Sequence, residues 1–324
     1  MTSISKNTSD THHRHTIAFY NLENLFDIRD DPETNDNDFL PTSVKKWTHK
    51  RYENKLRKLG YTISNIGRNE TDKHPTLIGL AEVENDTVLK DLVESHHLHE
   101  FNYGFVHYDS LDERGIDVAL LYDTTYFKVT HSETFSIHLV DDDGSPDYTR
   151  DILLVTGLLE DEEINIIVNH WSSRREGENE TENKRMAASN KVIEIIDRLK
   201  TQNEQAKIIV IGDFNDDPTN NSITHLVKTQ DLFNPMETLL SYSRGSTSHN
   251  FKWNLFDQII FTKTFFKSVP NTFSFEQANI FDDDFLKLFN GKYKGKPFRT
   301  YVGKKYKGGY SDHFPVYATL KKNL

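Results

Sequence analysis

Asn21 and Glu23 follow the apolar run Ile17-Ala18-Phe19-Tyr20, and Glu82 follows Leu77-Ile78-Gly79-Leu80-Ala81. Asn169 and His170 follow Ile166-Ile167-Val168, while Asp213 and Asn215 follow Ile208-Ile209-Val210-Ile211-Gly212. Two further groups precede their runs: Asp257 before Ile259-Ile260-Phe261, and Asp312-His313 before Phe314-Pro315-Val316. Hard dications take oxygen ligands, and Mg2+ needs only one or two protein carboxylates beside water and phosphate. Glu82 can be that anchor, helped by Asn21 and by Glu23 or Asp312. An in-line attack on phosphorus needs a water oriented and deprotonated, a task for an Asp beside an Asn amide: Asp213 and Asn215. It also needs donors at the phosphoryl oxygens as negative charge develops. His170, His313 and Asp257 can serve there.

Taken singly, each of these residues has a plainer reading. An Asp or Glu closing a strand is usually a cap or turn residue, and a lone His is usually a surface or hydrogen-bonded core residue. The joint pattern decides. If the last two runs are strands opposite in direction to the first four, every group falls on one rim of the sheets.

The elements that must position them are short apolar runs: Thr16–Tyr20, Leu77–Ala81, Ile116–Tyr122, Ile152–Leu159, Ile164–Val168, Lys207–Ile211, Phe256–Phe261 and Phe314–Leu320. Each has strand length and polar or Gly/Asp boundaries. Several are apolar at consecutive positions, as strands covered on both faces are. The clearest helical pattern is Glu182–Lys200; Val44–Leu59 and Val88–Leu98 are weaker ones. Strands outnumber helices and often follow one another directly, so the expected class is α/β with large mixed sheets covered by helices. The acidic stretches Asp30–Asp38, Asp141–Asp147 and Glu176–Glu182 read as loops. Residues 1–15 read as a polar, disordered tail and 16–324 as one domain.

Composition narrows the chemistry further. The chain has 324 residues and no Cys, which excludes a thiol nucleophile, a thiolate metal site and a disulfide framework. Its 39 Lys+Arg against 50 Asp+Glu give a net charge of −11, arguing against generic coating of polyanions but not against a local basic face. No run approaches the ~18 apolar residues of a membrane span, and Met1–Thr16 lacks the apolar region of a signal peptide. A soluble, cytoplasmic monomer without a protein partner is expected.

The ordered set of motifs resembles the endonuclease/exonuclease/phosphatase superfamily, which includes deoxyribonuclease I, apurinic endonucleases, inositol polyphosphate 5-phosphatases and neutral sphingomyelinases. The motifs are Phe-Tyr-Asn21-Leu-Glu23-Asn, Leu-Ala-Glu82-Val-Glu, Arg114-Gly-Ile-Asp, Val-Asn-His170-Trp, Gly-Asp213-Phe-Asn215, Phe-Asp257-Gln-Ile-Ile and Ser-Asp312-His313-Phe-Pro-Val. The resemblance runs from about Thr16 to the end. It implies a four-layer α/β sandwich, two mixed sheets face to face with helices outside, and a Mg2+- or Mn2+-dependent hydrolase using direct water attack. It implies Glu82 as the principal metal carboxylate, Asn21 beside it, and Glu23 and Asp312 near the metal. Asp213 and Asn215 match the pair that orients water and substrate, and Asp257 and His313 the dyad on the scissile phosphate. His170 falls where deoxyribonuclease I has a second catalytic His, with Glu113 nearest to the position of that His's carboxylate partner.

Two basic stretches bear on the substrate. Lys45, Lys46, Lys50, Arg51, Lys55, Arg57 and Lys58 follow the Asn21 run, and Lys292, Lys294, Lys296, Arg299, Lys304, Lys305 and Lys307 precede Ser311. The second is interleaved with Tyr293, Phe298, Tyr301 and Tyr306, a mixture suited to phosphate contacts and base stacking. Arg299 is the first choice for a phosphate clamp, with Arg114, Lys304 and Lys305 as further substrate-binding residues. The leading reading is a nuclease acting on DNA or RNA. The alternative is a phosphatase or phosphodiesterase of the same fold acting on inositol phosphates, lipids or other small phosphoesters. A binding module with lost catalysis would lack some of these residue types, and none of the principal ones is missing.

Overall fold

The computed structural model describes residues 13–140, 144–175 and 177–324. Twelve strands form its two large sheets: β1 (Arg14–Leu25), β2 (Leu77–Val83), β3 (Tyr103–His107), β4 (Asp117–Asp123), β5 (Phe127–Phe135), β6 (Ile152–Leu159), β7 (Glu162–His170), β8 (Ile208–Asp213), β9 (Leu232–Phe233), β10 (Asp257–Thr262), β11 (Phe273–Ile280) and β12 (Val316–Lys322). The first sheet has the order β11-β12-β1-β2-β4-β3 and the second β9-β10-β8-β7-β6-β5. The principal helices are α1 (His49–Asn65), α2 (Asp86–Val93), α3 (Glu182–Gln202) and α4 (Asn221–Gln230).

The residue pattern of β8 explains the layering. Ile209 and Ile211 join the apolar cluster between the sheets, while Ile208 and Val210 join the one shared with α3 and α4. Alternate side chains point to opposite faces, so a strand covered on both must be apolar throughout. Leu56, Leu59 and Ile63 of α1 and Val88, Leu89 and Leu92 of α2 cover the outer face of the first sheet. The result is the four-layer sandwich.

Strand directions bring the polar groups together. β1 and β2 are parallel, and β12 is antiparallel to β1. In the second sheet β7 and β8 are parallel, and β10 is antiparallel to β8. Groups that end four strands and groups that precede two others therefore share a rim.

Two sequence boundaries shift. The helix expected at Val44–Leu59 spans His49–Asn65, because Lys46 adopts a left-handed φ of 51° and Thr48 is extended at the N-cap. The helix expected at Val88–Leu98 runs Asp86–Val93, begun by the Asn85 side chain accepting from the Val88 N–H. In addition, β1 claims Arg14 and His15 from the expected tail, pairing them with Lys321 and Leu320. Residues 1–12 lie outside the described residues. No helix among the described residues is long and apolar enough to cross a membrane.

His15 is fully buried, with Nδ1 2.8 Å from Thr76 Oγ1 and Nε2 3.1 Å from Glu160 Oε1. Burial, reinforced by Lys73 and opposed by Glu160, lowers its pKa from 6.5 to about 4. Between those values the unfolded chain binds a proton that the folded chain refuses, so stability falls as pH falls through this window. The contribution lost between pH 7 and pH 5 is about 2 kcal/mol. Urea denaturation of the parent and of His15→Asn at both pH values checks this: the variant is expected to show a smaller difference.

Candidate active site

Backbone irregularities aim the first sheet's polar residues. Regular β1–β2 pairing is interrupted between Asn21 and Leu25, and β2–β4 pairing between Ala81 and Val83. Glu23, Asn24 and Glu82 take left-handed φ values of 52°, 56° and 62°. Such departures at strand ends re-aim side chains and mark positions where the surrounding structure overrules local preference. The side chains secure them. Asn21 Oδ1 accepts from Glu23 N–H at 3.0 Å, and Glu82 Oε2 accepts from Asn24 N–H at 2.7 Å. Arg114 Nη2 donates to Asn24 Oδ1 at 2.5 Å and holds its Nη1 4.0 Å from Glu82 Oε1.

In the second sheet, Asp213 is opposite His170 on one side and Asp257 on the other. Gly212 permits this close pairing, since a Cβ there would come 2.4 Å from the Asn169 carbonyl oxygen. Beyond it, Asn215 turns back with φ 50°; its backbone N–H meets Asp213 Oδ1 at 3.0 Å and its amide donates to the Trp171 carbonyl at 3.0 Å.

The sheets meet at Asp213. Asn21 Nδ2 donates to Asp213 Oδ2 at 3.0 Å, while His170 Nε2 and His313 Nε2 are 3.8 and 3.9 Å from the same oxygen. Those two gaps exceed hydrogen-bond range. His313 Nδ1 is 2.7 Å from Asp257 Oδ2, and Ser311 Oγ anchors the segment by donating to the Asn21 carbonyl at 2.7 Å. Asp257 Oδ1 and His170 Nδ1 are buried without a hydrogen-bond partner among the described residues.

Charge separates the two histidines. Burial alone would lower the His313 pKa, but the Asp257 and Asp213 carboxylates outweigh it and hold it well above the usual imidazole value. Burial drives His170 well below that value, reinforced by Arg150 and Arg114. One ring is a cation and the other neutral. Burial raises Asp213 to about 6 against the pull of His313, so the carboxylate is available near neutral pH.

A second charged group adjoins the dyad. Arg299 Nη2 pairs with Asp312 Oδ2 at 2.7 Å, and its Nε lies 3.5 Å from Glu23 Oε1. Glu23 Oε2 also accepts from Thr300 N–H at 2.6 Å. Lys55 is buried, donating to Thr300 Oγ1 at 2.6 Å and to the Tyr310 carbonyl at 2.7 Å. Burial lowers Lys55 to about 8, opposed by Glu23, Asp312 and Glu82. It is thus an internal counter-cation for these three carboxylates. Burial and Asp312 raise Glu23 to about 7.

The structure brings Asn21, Asp213, Asn215, Asp257, His170 and His313 into one connected cluster. Glu82, Glu23, Asp312, Arg114 and Arg299 border it; Lys304 and Lys305 are exposed on a hairpin formed by Tyr301–Val302 and Lys305–Tyr306. No hydrogen bond or ion pair links Glu113 to His170 among the described residues; the carboxylate beside the ring is Asp213, 3.8 Å from Nε2. The first basic stretch is largely structural: Lys55 is buried, and the Arg51 guanidinium stacks 4.4 Å from the Tyr306 ring centre. Sequence reasoning missed Asn24, Ser311 and the supporting role of Lys55. It also missed Asp216, held by Arg174 at 2.6 Å and Arg185 at 2.8 Å, although Asp216 directly follows Asn215.

Glu82, Glu23, Asp312 and the Asn21 amide offer oxygen donors, the kind a hard dication takes, and Arg299 bridges Glu23 and Asp312. Asp213, Asp257 and His313 also offer ligand-type atoms within 4.8 Å of one another. The short Asp257–His313 ion pair and the cationic state of His313 make that trio a hydrogen-bonded dyad with a carboxylate opposite it.

This fold and rim define a phosphoester-hydrolase architecture, and the comparisons agree. The Endonuclease/Exonuclease/phosphatase family model matches residues 16–322, and the chain belongs to that family. No curated protein matches it. A family protein from Bacteroides thetaiotaomicron superposes with TM-score 0.58 at 19% identity, covering 96% of this chain and 98% of its own. A mannosyl-6-phosphatase from the same organism gives 0.55 at 18%, covering 94% and 99%. D. rerio TDP2, solved with a single-strand DNA product, gives 0.55 at 14%, covering 95% and 99%. Members of this family hydrolyse phosphoesters, the coarse activity that this chain's membership carries.

Proposed function

We propose that the chain is a monomeric, single-domain, cytoplasmic nuclease that hydrolyses phosphodiesters by direct water attack with Mg2+ or Mn2+. The convergence at Asp213 Oδ2 carries this reading: Asn21 fixes the oxygen, and His170 and His313 stand 3.8 and 3.9 Å away, leaving room for reacting atoms. Asp213 takes the proton from the attacking water, which Asn215 helps to position. The His313 imidazolium, aligned by Asp257, faces the phosphoryl oxygens as charge grows there. Neutral His170 donates or accepts beside the same carboxylate. Glu82, with Asn21, Asp312 and Glu23, would hold the dication. Bound there, it supplies Lewis-acid stabilisation of a phosphoryl oxygen. Arg299 and Arg114 stand beside these carboxylates as the phosphate-binding cations.

Support for nucleic acid over a small phosphoester comes from the surface leading away from the dyad. Thr247 bridges to His313, and the hairpin Thr247–His249/Lys252–Asn254 leads from there to Phe251. Phe251 and Tyr293 are half exposed and stacked, ring centres 5.3 Å apart and planes 5° from parallel, with Lys292 over Phe251 at 4.9 Å. Lys294, Lys304, Lys305 and Lys307, in the same stretch of chain as Tyr293, are exposed. Aromatic faces with flanking cations suit successive bases and phosphates of a single strand. The likeness to a DNA-bound TDP2 fold is consistent with this choice.

The test is Lys304→Ala/Lys305→Ala, assayed on an oligonucleotide and on a small phosphodiester across a salt series. Each lost phosphate contact is expected to reduce the salt slope of oligonucleotide binding by about one unit. Turnover of the small ester is expected to persist. Unchanged oligonucleotide binding at every salt concentration would move the small-phosphoester reading ahead.

A further inference from the structure

At the outer edge of the first sheet, His107 ends β3, Asp109 follows in the loop, and Asp117 opens β4. One ring nitrogen of His107 and one carboxylate oxygen from each Asp lie within 4.8 Å of one another. The His107 side chain is 2% exposed, and its Nε2 has no hydrogen-bond partner among the described residues. This nitrogen is 3.9 Å from Asp117 Oδ2, too far for a hydrogen bond. Two ligands each ~2.1 Å from one ion can span such a gap. The other ring nitrogen, Nδ1, is 3.0 Å from Asp86 Oδ1 at the start of α2.

We propose that His107, Asp109 and Asp117 form a second divalent-cation site, at the edge-strand end of the first sheet's rim and distinct from the Asp213 cluster, selective for a transition ion of the Zn2+ type. The arrangement is the carboxylate–histidine–metal relay: an acceptor at Nδ1 fixes the tautomer and leaves the Nε2 lone pair directed at the ion. An imidazole with two carboxylates favours Zn2+ over the harder Mg2+. Asp117 agrees with this picture; burial, with Asp112 and Asp109 nearby, raises its pKa to about 7 despite hydrogen bonds from Ser110. An added cation would relieve that concentration of negative charge.

The site has a structural role. It clamps the start of the loop that carries Asp112 and Arg114 toward the rim. Asp112 Oδ2 pairs with Arg150 Nη1 at 3.0 Å, Arg150 Nη2 donates to the Trp171 carbonyl at 2.8 Å, and Arg114 reaches Asn24. Asp86 is a positioning residue for the imidazole.

The experiment titrates the metal-stripped full chain with Zn2+ by calorimetry in excess Mg2+, alongside thermal unfolding. The parent is expected to bind one tight equivalent that Glu82→Gln keeps and His107→Gln loses. Asp109→Asn, at an exposed position, should lose it too while unfolding at the parent's zinc-free temperature. Asp86→Asn should weaken it about 10- to 100-fold. Absence of a tight equivalent in the parent, its loss in Glu82→Gln, or its retention in both His107→Gln and Asp109→Asn would overturn the proposal. None of these readouts depends on the nuclease reading.

Discussion

Asp213→Asn is expected to lower kcat by roughly 10²–10⁴-fold while changing KM little, because it removes the group that accepts the water's proton. The substitution keeps the volume but leaves one oxygen for two donors, the Asn21 amide and the Asn215 N–H, each now 3.0 Å away, so an unfolding curve beside the kinetics separates lost chemistry from lost fold. The pH profile provides a second readout. With Asp213 raised to about 6, activity depends on its deprotonated form and rises with pH through that value. At pH 5 the parent should retain roughly one tenth of its plateau kcat/KM. His313 must stay protonated; Asp257 and Asp213 hold its pKa well above the ordinary value, which places the alkaline limb beyond neutrality. Full turnover by Asp213→Asn, with the acid limb unchanged, would move proton abstraction to another group.

Removal of divalent metal by EDTA is expected to abolish turnover, with Mg2+ or Mn2+ restoring it. Glu82→Gln should raise the metal concentration needed for half-maximal activity on the order of 10–100-fold or more. Gln still offers an oxygen to the Asn24 N–H, which lies 2.7 Å from Glu82 Oε2, so the bulge is preserved. The distinguishing observation is the metal titration, since damage to substrate binding alone would leave its midpoint in place. Undiminished activity of the parent in metal-free buffer would remove the proposed metal role.

The rim was legible because strand ends carry both kinds of information. The apolar runs of β1, β2, β7 and β8 mark covered strands, and the polar residue after each marks where cover stops. The strands missed by sequence reading are β3, β5, β9 and β11. β5 reads Phe-Lys-Val-Thr-His-Ser-Glu-Thr-Phe, and only Phe127 in it is buried. All four are edge strands, where one neighbour is missing and hydrophobic alternation fades. α1 was expected to end at Leu59, yet the helix continues through Gly60 to Asn65. Gly60 marks a close approach, as a Cβ there would come 2.5 Å from Ser95 Oγ.

Lys55 illustrates the other limit. Among seven basic residues in a short stretch it looks like surface charge, and nothing local marks it as buried. Its environment is made by Thr300 and Tyr310, some 245 and 255 residues away. Local sequence reports local preference; this burial comes from tertiary contact alone. The rim residues were readable for the opposite reason, since each is attached to its own strand.

The pairing of β1 with β12 sets when hydrolysis can begin. Residues 14–19 pair with 321–316, so Asn21 and His313 are neighbours only after a contact spanning nearly the whole chain has closed. Loop-closure entropy grows slowly with length, but pairings of this separation lengthen the search for the native state. Asp213 adds a further requirement, because its partner Asn21 belongs to the opposite sheet. A chain with only one sheet formed holds carboxylates and imidazoles in unrelated places. Competence therefore arises with the final closure, and partly folded molecules are harmless to any phosphoester they meet.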